Sequence, residues 1–372
     1  MRRTVLVLAS LVLSLGLVGP ALALDSTASG KTGGVTSLED RIEKLEEAVG
    51  RKVEGEKWYD RIQISGLVEV EAGYGEVDFE DSALEDEKSS DVDLATVELA
   101  LDAKIHAQVE GHVLIKYEED DLFVDEGFIT LTGPDRFPAY LIAGRQYVPF
   151  GNFDTHFVTD PNTLILGETN EGAAVVGYRF MDEMLEVSAG AFNGEAREAG
   201  DDDAIDSFVA AMVAKPFEGL NLGVSYISNL AGSNSFNEEV VDPENLDSLV
   251  GGWSAFVSFS FLERFKLIAE YVGALDNFRA GEIYGAADGA EREPSAWNAE
   301  FGVAVIENVE LALRYGGSDD GGFEFLPETQ YGAVVNWGFF DNTNLAVEYL
   351  HGEFEEDYQE TDTITAQLAI AF

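Results

Sequence analysis

The chain has 372 residues, 71 acidic against 22 basic, a net charge of −49 at pH 7, a 46% hydrophobic fraction and no cysteine. That charge excludes nucleic acid as a partner, the hydrophobic fraction excludes a disordered polyanion, and the missing thiols exclude disulfides, thiol chemistry and a lipid anchor on cysteine. The acids are also local: eight with one Lys over 76–91, six with one Arg over 195–206, and six with no base over 353–362.

In chain order, Arg2 and Arg3 precede an apolar run from Val5 to Val18 and then Ala21-Leu22-Ala23. A basic flank, a short apolar stretch and a small-x-small site predict a secretory signal over 1–23, cut after Ala23. Over 24–57 the pattern predicts a periplasmic linker and a short helix. Thr36 and Glu39 fit a capping box, and Val35, Leu38, Ile42, Leu45 and Val49 follow coiled-coil spacing up to Gly50. Two heptads are marginal alone in water, so this helix associates with copies of itself, packs under the rest of the chain, or stays a solvated linker.

From Trp58 the apolar period changes to two. Ile62, Ile64, Val68, Val70 and Tyr74 alternate with Gln63, Ser65, Glu69 and Glu71, and over 106–118 Val109, Val113, Ile115 and Tyr117 oppose Glu110, His112, Lys116 and Glu118. About sixteen stretches of roughly ten residues follow this pattern up to residue 372. Their connectors alternate in length: tight turns near 181–183, 217–218, 262–263, 306–307 and 340–341, long loops at 75–90, 150–170, 194–205, 230–251, 277–294, 318–327 and 353–360. After the signal no apolar span reaches the length of a membrane helix. The expectation is an all-β fold: a transmembrane antiparallel β-barrel of about 16 strands over 58–372, short turns facing the periplasm, long loops facing outward.

Two further signs agree. Tyr74, Tyr117, Tyr147, Tyr178, Tyr271, Tyr315 and Tyr349 are expected at outer strand ends, with Phe180, Phe261, Phe265 and Trp337 at inner ends, as two interfacial girdles. In the last strand Ile364, Ala366, Leu368, Ile370 and Phe372 share one face, which suits a strand that closes a barrel in lipid.

The runs 65–71 (SGLVEVE), 93–99 (DLATVEL), 147–153 (YVPFGNF), 294–300 (PSAWNAE) and 363–368 (TITAQL) resemble the LbtU-type siderophore porin family over essentially the whole barrel. The resemblance implies passage of iron-loaded siderophore through a barrel without a plug domain. About sixteen strands enclose an aqueous channel, so the residues themselves predict diffusion of small solutes.

The loop over 150–170 is expected to fold inward and narrow the pore, because Phe153, Phe157, Leu164, Ile165 and Leu166 would each cost about 1.5–3 kcal/mol if left in water. An outward loop on a trimer interface is the alternative. Asp154, His156, Asp160 and Glu168 would line one side of the constriction, facing the wall bases Lys116, Arg145, Arg179, Lys266 and Arg314; Glu110, His112 and Glu300 complete the wall. Inward acids Glu69, Glu71, Glu98, Asp102, Glu110, Glu270, Glu300, Glu310 and Glu348 outnumber the bases, which favours cations. With four His, no Cys and no Gly-x-Ser-x-Gly segment, neither a metal site nor a catalytic centre is assigned, and no cofactor is expected beyond weak Ca²⁺ or Mg²⁺ association at the acidic outer loops. Expected partners are outer-membrane lipid, a small solute or ferric siderophore, and copies of the chain as a homotrimer. Three functions remain open: siderophore uptake porin, cation-preferring diffusion porin, and envelope-stabilising protein.

Overall fold

The protein is described from a computed structural model that covers residues 58–80, 83–118, 120–134, 136–285 and 288–372. The expected signal and coiled-coil helix lie outside those residues. Sixteen strands follow a short 3₁₀ turn at Trp58–Arg61. They are β1 (Ile62–Phe79), β2 (Glu87–His106), β3 (Val109–Glu118), β4 (Asp121–Thr132), β5 (Ala139–Tyr147), β6 (Asn170–Phe180), β7 (Leu185–Phe192) and β8 (Ser207–Phe217). The second half holds β9 (Leu220–Ile227), β10 (Gly252–Phe261), β11 (Phe265–Ala274), β12 (Ser295–Ile306), β13 (Val309–Asp319), β14 (Thr329–Phe340), β15 (Thr343–Glu353) and β16 (Gln359–Ala371).

Each strand pairs antiparallel with its chain neighbour, and β16 pairs with β1, so the sheet closes on itself. The seal is made by backbone: Gly66 and Phe372 exchange N–H to carbonyl hydrogen bonds of 2.9 and 3.0 Å. Closure leaves no free edge at that junction, as a sheet in lipid requires. The residue His106 ends β2 rather than opening β3, and β1 runs on to Phe79, past its expected end at Tyr74.

Alternation then assigns the faces. Val92, Ile129, Val176, Leu313 and Ile364 are exposed on the outer surface, while their sequence neighbours Val175 and Ala312 are buried against the interior. Tight turns join the strands at one end; Leu262 (φ 52°) and Glu263 (φ 57°) adopt the left-handed turn that matches strand twist. The chain direction of β6 puts Tyr178 at this inner end, edge-on to Phe137 and tilted against Phe180 at 5.4 and 4.5 Å, so it belongs to the inner girdle, not the outer one.

At the other end the loops over 193–206, 228–251, 275–294 and 320–328 pack on one another. Phe236 is their centre, with Phe278, Tyr284 and Phe325 at 5.6 to 6.3 Å and Leu230, Leu246, Ile283 and Leu326 buried around it. The same cluster continues into the barrel through Val148, Phe150, Leu166, Val175 and Val272.

Candidate functional site

The site grows out of β5. After Tyr147 the chain does not leave the barrel but runs along the inner wall through residues 148–169. Extended backbone in such a place has N–H groups that no strand will pair, and burial makes an unpaired donor costly. The wall answers with carboxylates. Gly151 N donates to Ser225 Oγ on β9 at 3.0 Å, and Asn152 N and Phe153 N donate to Glu270 on β11, each at 2.7 Å. Thr155 Oγ1 and His156 N donate to Glu300 on β12 at 2.7 and 2.6 Å. Val158 N and Thr159 N donate to Glu348 on β15 at 2.6 and 3.1 Å, and the Thr159 hydroxyl joins them.

Arg314 on β13 locks this arrangement. Its guanidinium donates to Glu300 (2.9 Å), to the Asp160 and Thr159 carbonyls (3.2 and 2.8 Å) and to Thr155 Oγ1 (2.6 Å), and lies 4.3 Å from the centre of the Phe157 ring. Both side chains of the Arg314–Glu300 pair are 0% exposed. Such a pair is held by its hydrogen bonds more than by charge alone. The chain returns through α1 (Asn162–Gly167), whose Leu164 and Leu166 are buried, and Glu168 O accepts from Asn234 N in the outer loops at 2.8 Å.

The expected site residues fall into distinct places. Asp154 remains half-exposed, 3.4 Å from Lys266. His156 turns away from the pore: it is 9% exposed, with Nδ1 2.6 Å from Glu310. Gly302 makes room for it, since a Cβ there would lie 2.4 Å from the imidazole. Asp160 is buried, and Glu168, in the loop and outside any strand, is pushed by burial to a pKa of about 8.

The bases do not stand opposite as a group. Lys266 and Arg314 belong to the wall that clamps the loop, so they bind the loop instead of facing it across a gap. Arg179 sits at the inner end, 3.0 Å from Glu186 and 5.0 Å from the Tyr140 ring. Arg145 shares the outward register with Ala143 and Leu141 and is exposed, so it is not a lumen residue. Lys116 alone faces the loop from β3; it is 2% exposed and pairs with Glu118 at 2.9 Å.

The remaining wall, β1 to β4, is acidic. Glu69, Glu71, Glu98, Asp102, Glu110 and Glu126 share the inward register there with Lys104, His112 and Lys116. Lys104 pairs with Glu110 (3.3 Å), and His112 stands between Asp102 (2.7 Å) and Glu126 (3.3 Å), stacked on Phe128. Asp102, His112 and Phe128 line a 920 Å³ recess at the inner end of these strands. Glu270, Glu310 and Glu348 were legible as inward acids but not as loop anchors, because their partners, backbone amides for Glu270 and Glu348 and the His156 ring for Glu310, lie more than a hundred residues away. Among the described residues no group of three His, Asp or Glu is placed to hold a metal ion.

No family model matches the chain. It is 25% identical over 306 residues to a UPF0422 protein of Coxiella burnetii, a match that covers 78% of this chain and 64% of that one. It is also 25% identical over 297 residues to a UPF0422 protein of Legionella pneumophila, covering 70% and 54%. The chain thus spans little more than half to just under two thirds of these relatives. Among solved structures it is similar to the outer membrane channel DcaP of Acinetobacter baumannii (TM-score 0.60, 14% identity, 84% of this chain and 97% of that one). The anion-selective porin from Comamonas acidovorans (TM-score 0.58, 11%, 84% and 99%) and OmpF of Salmonella typhi (TM-score 0.54, 12%, 86% and 100%) are similar too. At these identities the likeness establishes the fold: a closed sixteen-strand barrel of the outer-membrane porin type.

Proposed function

We propose that this chain is an outer-membrane channel for passive diffusion of small solutes, exported by its N-terminal signal and working as a homotrimer with a preference for cations. One observation carries the reading. The loop consumes Glu270, Glu300, Glu310 and Glu348 as anchors, so the charge left to face a solute is that of β1 to β4, where Glu69, Glu71, Glu98, Asp102, Glu110 and Glu126 stand against Lys104, Lys116 and His112. A lumen of one dominant sign concentrates ions of the other. One fold neighbour, OmpT of Vibrio cholerae, is described in a trimer form, which supports the oligomer. Weak Ca²⁺ or Mg²⁺ association at the acidic outer loops fits the same field.

Siderophore passage is the finer reading that the family resemblance implies, and the acidic wall restricts it to neutral or cationic iron complexes. Planar-bilayer recording tests both. Under a KCl gradient the reversal potential should show cation preference, and a ferric siderophore that blocks the current would add the uptake role. Anion preference would refute the reading from the lumen charges. Absence of any current would leave an envelope-stabilising role.

A further inference from the structure

Charge does not balance where the loop returns to the wall. Lys116 on β3 faces residues 160–168, but its ammonium is already 2.9 Å from Glu118, and Arg314 is spent on Glu300 and on the Thr159 and Asp160 carbonyls. Glu168 lies within electrostatic reach of Lys116 and Glu118 on β3, of Asp125 and Glu126 on β4, and of Tyr147 on β5. Asp160 in turn feels Glu168, Glu118, Lys116 and Arg314. Acids therefore outnumber bases on both sides of this passage.

Hydrogen bonding is as lopsided. Asp160 is 2% exposed, yet its Oδ2 accepts no hydrogen bond among the described residues, and the same holds for Glu168 Oε1 and Asn170 Oδ1. Asn170 belongs to the group because its Nδ2 donates to the Asp125 carboxylate at 3.2 Å. Buried acceptors without a donor are costly, so these three beside an acidic wall call for a ligand that brings both positive charge and N–H groups.

A bare metal ion does not fit. It needs its oxygens gathered about 2.3–2.6 Å from one centre, and among the described residues no three acids or histidines are so gathered. A guanidinium or ammonium spreads its donors over a wider span. The wall also offers an apolar surface. Glu98, Lys116 and Phe123 are register partners across β2, β3 and β4, and directly opposed residues of antiparallel strands share a face, so Phe123 points into the lumen with the other two. It is 37% exposed there. An aromatic face in water beside carboxylates suits a cation with an apolar body.

We propose that the passage between residues 160–170 and the β3–β4 wall is a binding station for organic cations, with a guanidinium or primary ammonium head on Asp160, Glu168 and Asn170 and an apolar body on Phe123. The proposal rests on the reading of the chain as a cation-preferring channel and names the class of solute it would pass. Burial puts the Glu168 pKa at about 8, so the head competes with a proton and binding tightens as pH rises through that value.

Phenethylguanidine, whose guanidinium stays charged throughout, is the probe. Titration calorimetry on the detergent-solubilised full chain should show binding at pH 9 and at least tenfold weaker binding at pH 6. 3-Phenylpropionate, the same ring on an anion, should not bind. Glu168→Gln should cost about tenfold at pH 9 and remove most of the pH dependence. Phe123→Ala should weaken phenethylguanidine about tenfold and leave guanidinium, which has no ring, unchanged. In planar bilayers the probe should interrupt K⁺ current in brief blocks, and K⁺ conductance of each variant shows that it has folded. Where a variant does not conduct, the pH dependence of the unaltered chain and the anion control decide. Equal binding of the anion, or binding insensitive to both pH and Glu168→Gln, would overturn the proposal. Cation-selective current with no binding of the probe sinks the station and leaves the channel reading standing; pH-dependent binding without current does the reverse.

Discussion

Glu300→Gln is the sharpest test of how the loop is held. The substitution keeps the size of the side chain but replaces an acceptor-only group by one whose NH₂ must face another donor. Glu300 accepts from Thr155 Oγ1, His156 N, Asn298 Nδ2 and Arg314 Nε at 2.6 to 3.0 Å, and its side chain and that of Arg314 are 0% exposed. Neutralising one member of a buried, hydrogen-bonded ion pair leaves the other uncompensated and costs about 3–5 kcal/mol. Glu270 and Glu348 still hold residues 152–153 and 158–159, so the loss falls on docking of the segment between them and the barrel should still close. At tenfold per 1.4 kcal/mol, that segment's open population rises by about 10² or more. Backbone amide exchange at His156 should accelerate by that factor, and single-channel recordings should gain flicker between two conductance levels. Unchanged exchange at His156 with unchanged conductance noise would refute the view that Glu300 anchors the loop.

Three other outcomes follow from charges outside the strands. Burial holds Glu168 at a pKa of about 8, so its carboxyl is neutral at pH 7 and charged at pH 9; the cation-to-anion permeability ratio should rise over that interval, and Glu168→Gln should flatten the rise. A rise of equal size in the variant would remove Glu168 from the explanation. In the outer loops Arg292 holds Asp288, Asp320 and Glu355 at 3.0, 3.1 and 3.2 Å, and Arg292→Ala should make these loops susceptible to protease while the barrel stays resistant. Burial raises the pKa of Glu355 despite Arg292, so the folded loops bind its proton more tightly than the open ones: their packing is firmest below the ordinary value of 4.5 and loosens as pH rises through the raised value. Protease protection of the loops should accordingly be greater at pH 5 than at pH 8.

Strand period and connector length were enough to read the barrel, because each strand carries its own inside and outside in alternate residues. The inward acids at 69, 71, 98, 102, 110, 270, 300, 310 and 348 could be read the same way, and all occupy inward register. What failed was anything that depended on the partner across space. Arg314 and Lys266 read as free lumen bases because nothing near them in sequence shows that a loop more than a hundred residues earlier lies on top of them. Arg145 read as inward from its charge, and only the register with Gly127 and Gly172 reveals its outward position. Tyr178 was assigned to the wrong rim although its aromatic character suits either girdle; the direction of β6 decides between them.

Apart from the acids of the outer loops, those on the barrel wall have two physical roles. An irregular segment crossing β9 to β15 presents amide after amide to a wall whose own backbone is already paired, so only side chains can accept. Carboxylates suit this best, since each offers about four lone-pair positions and no competing donor. Glu270, Glu300 and Glu348 each take two or more donors from the loop, and Arg314 offsets part of their repulsion. These acids are structural and contribute little field to the open lumen. Those of β1 to β4 lie on the wall that the loop leaves uncovered, and their charge acts on what passes. Neutralising Glu71 or Glu98 should therefore shift ion selectivity and leave the loop in place, whereas neutralising Glu270 should free the loop first.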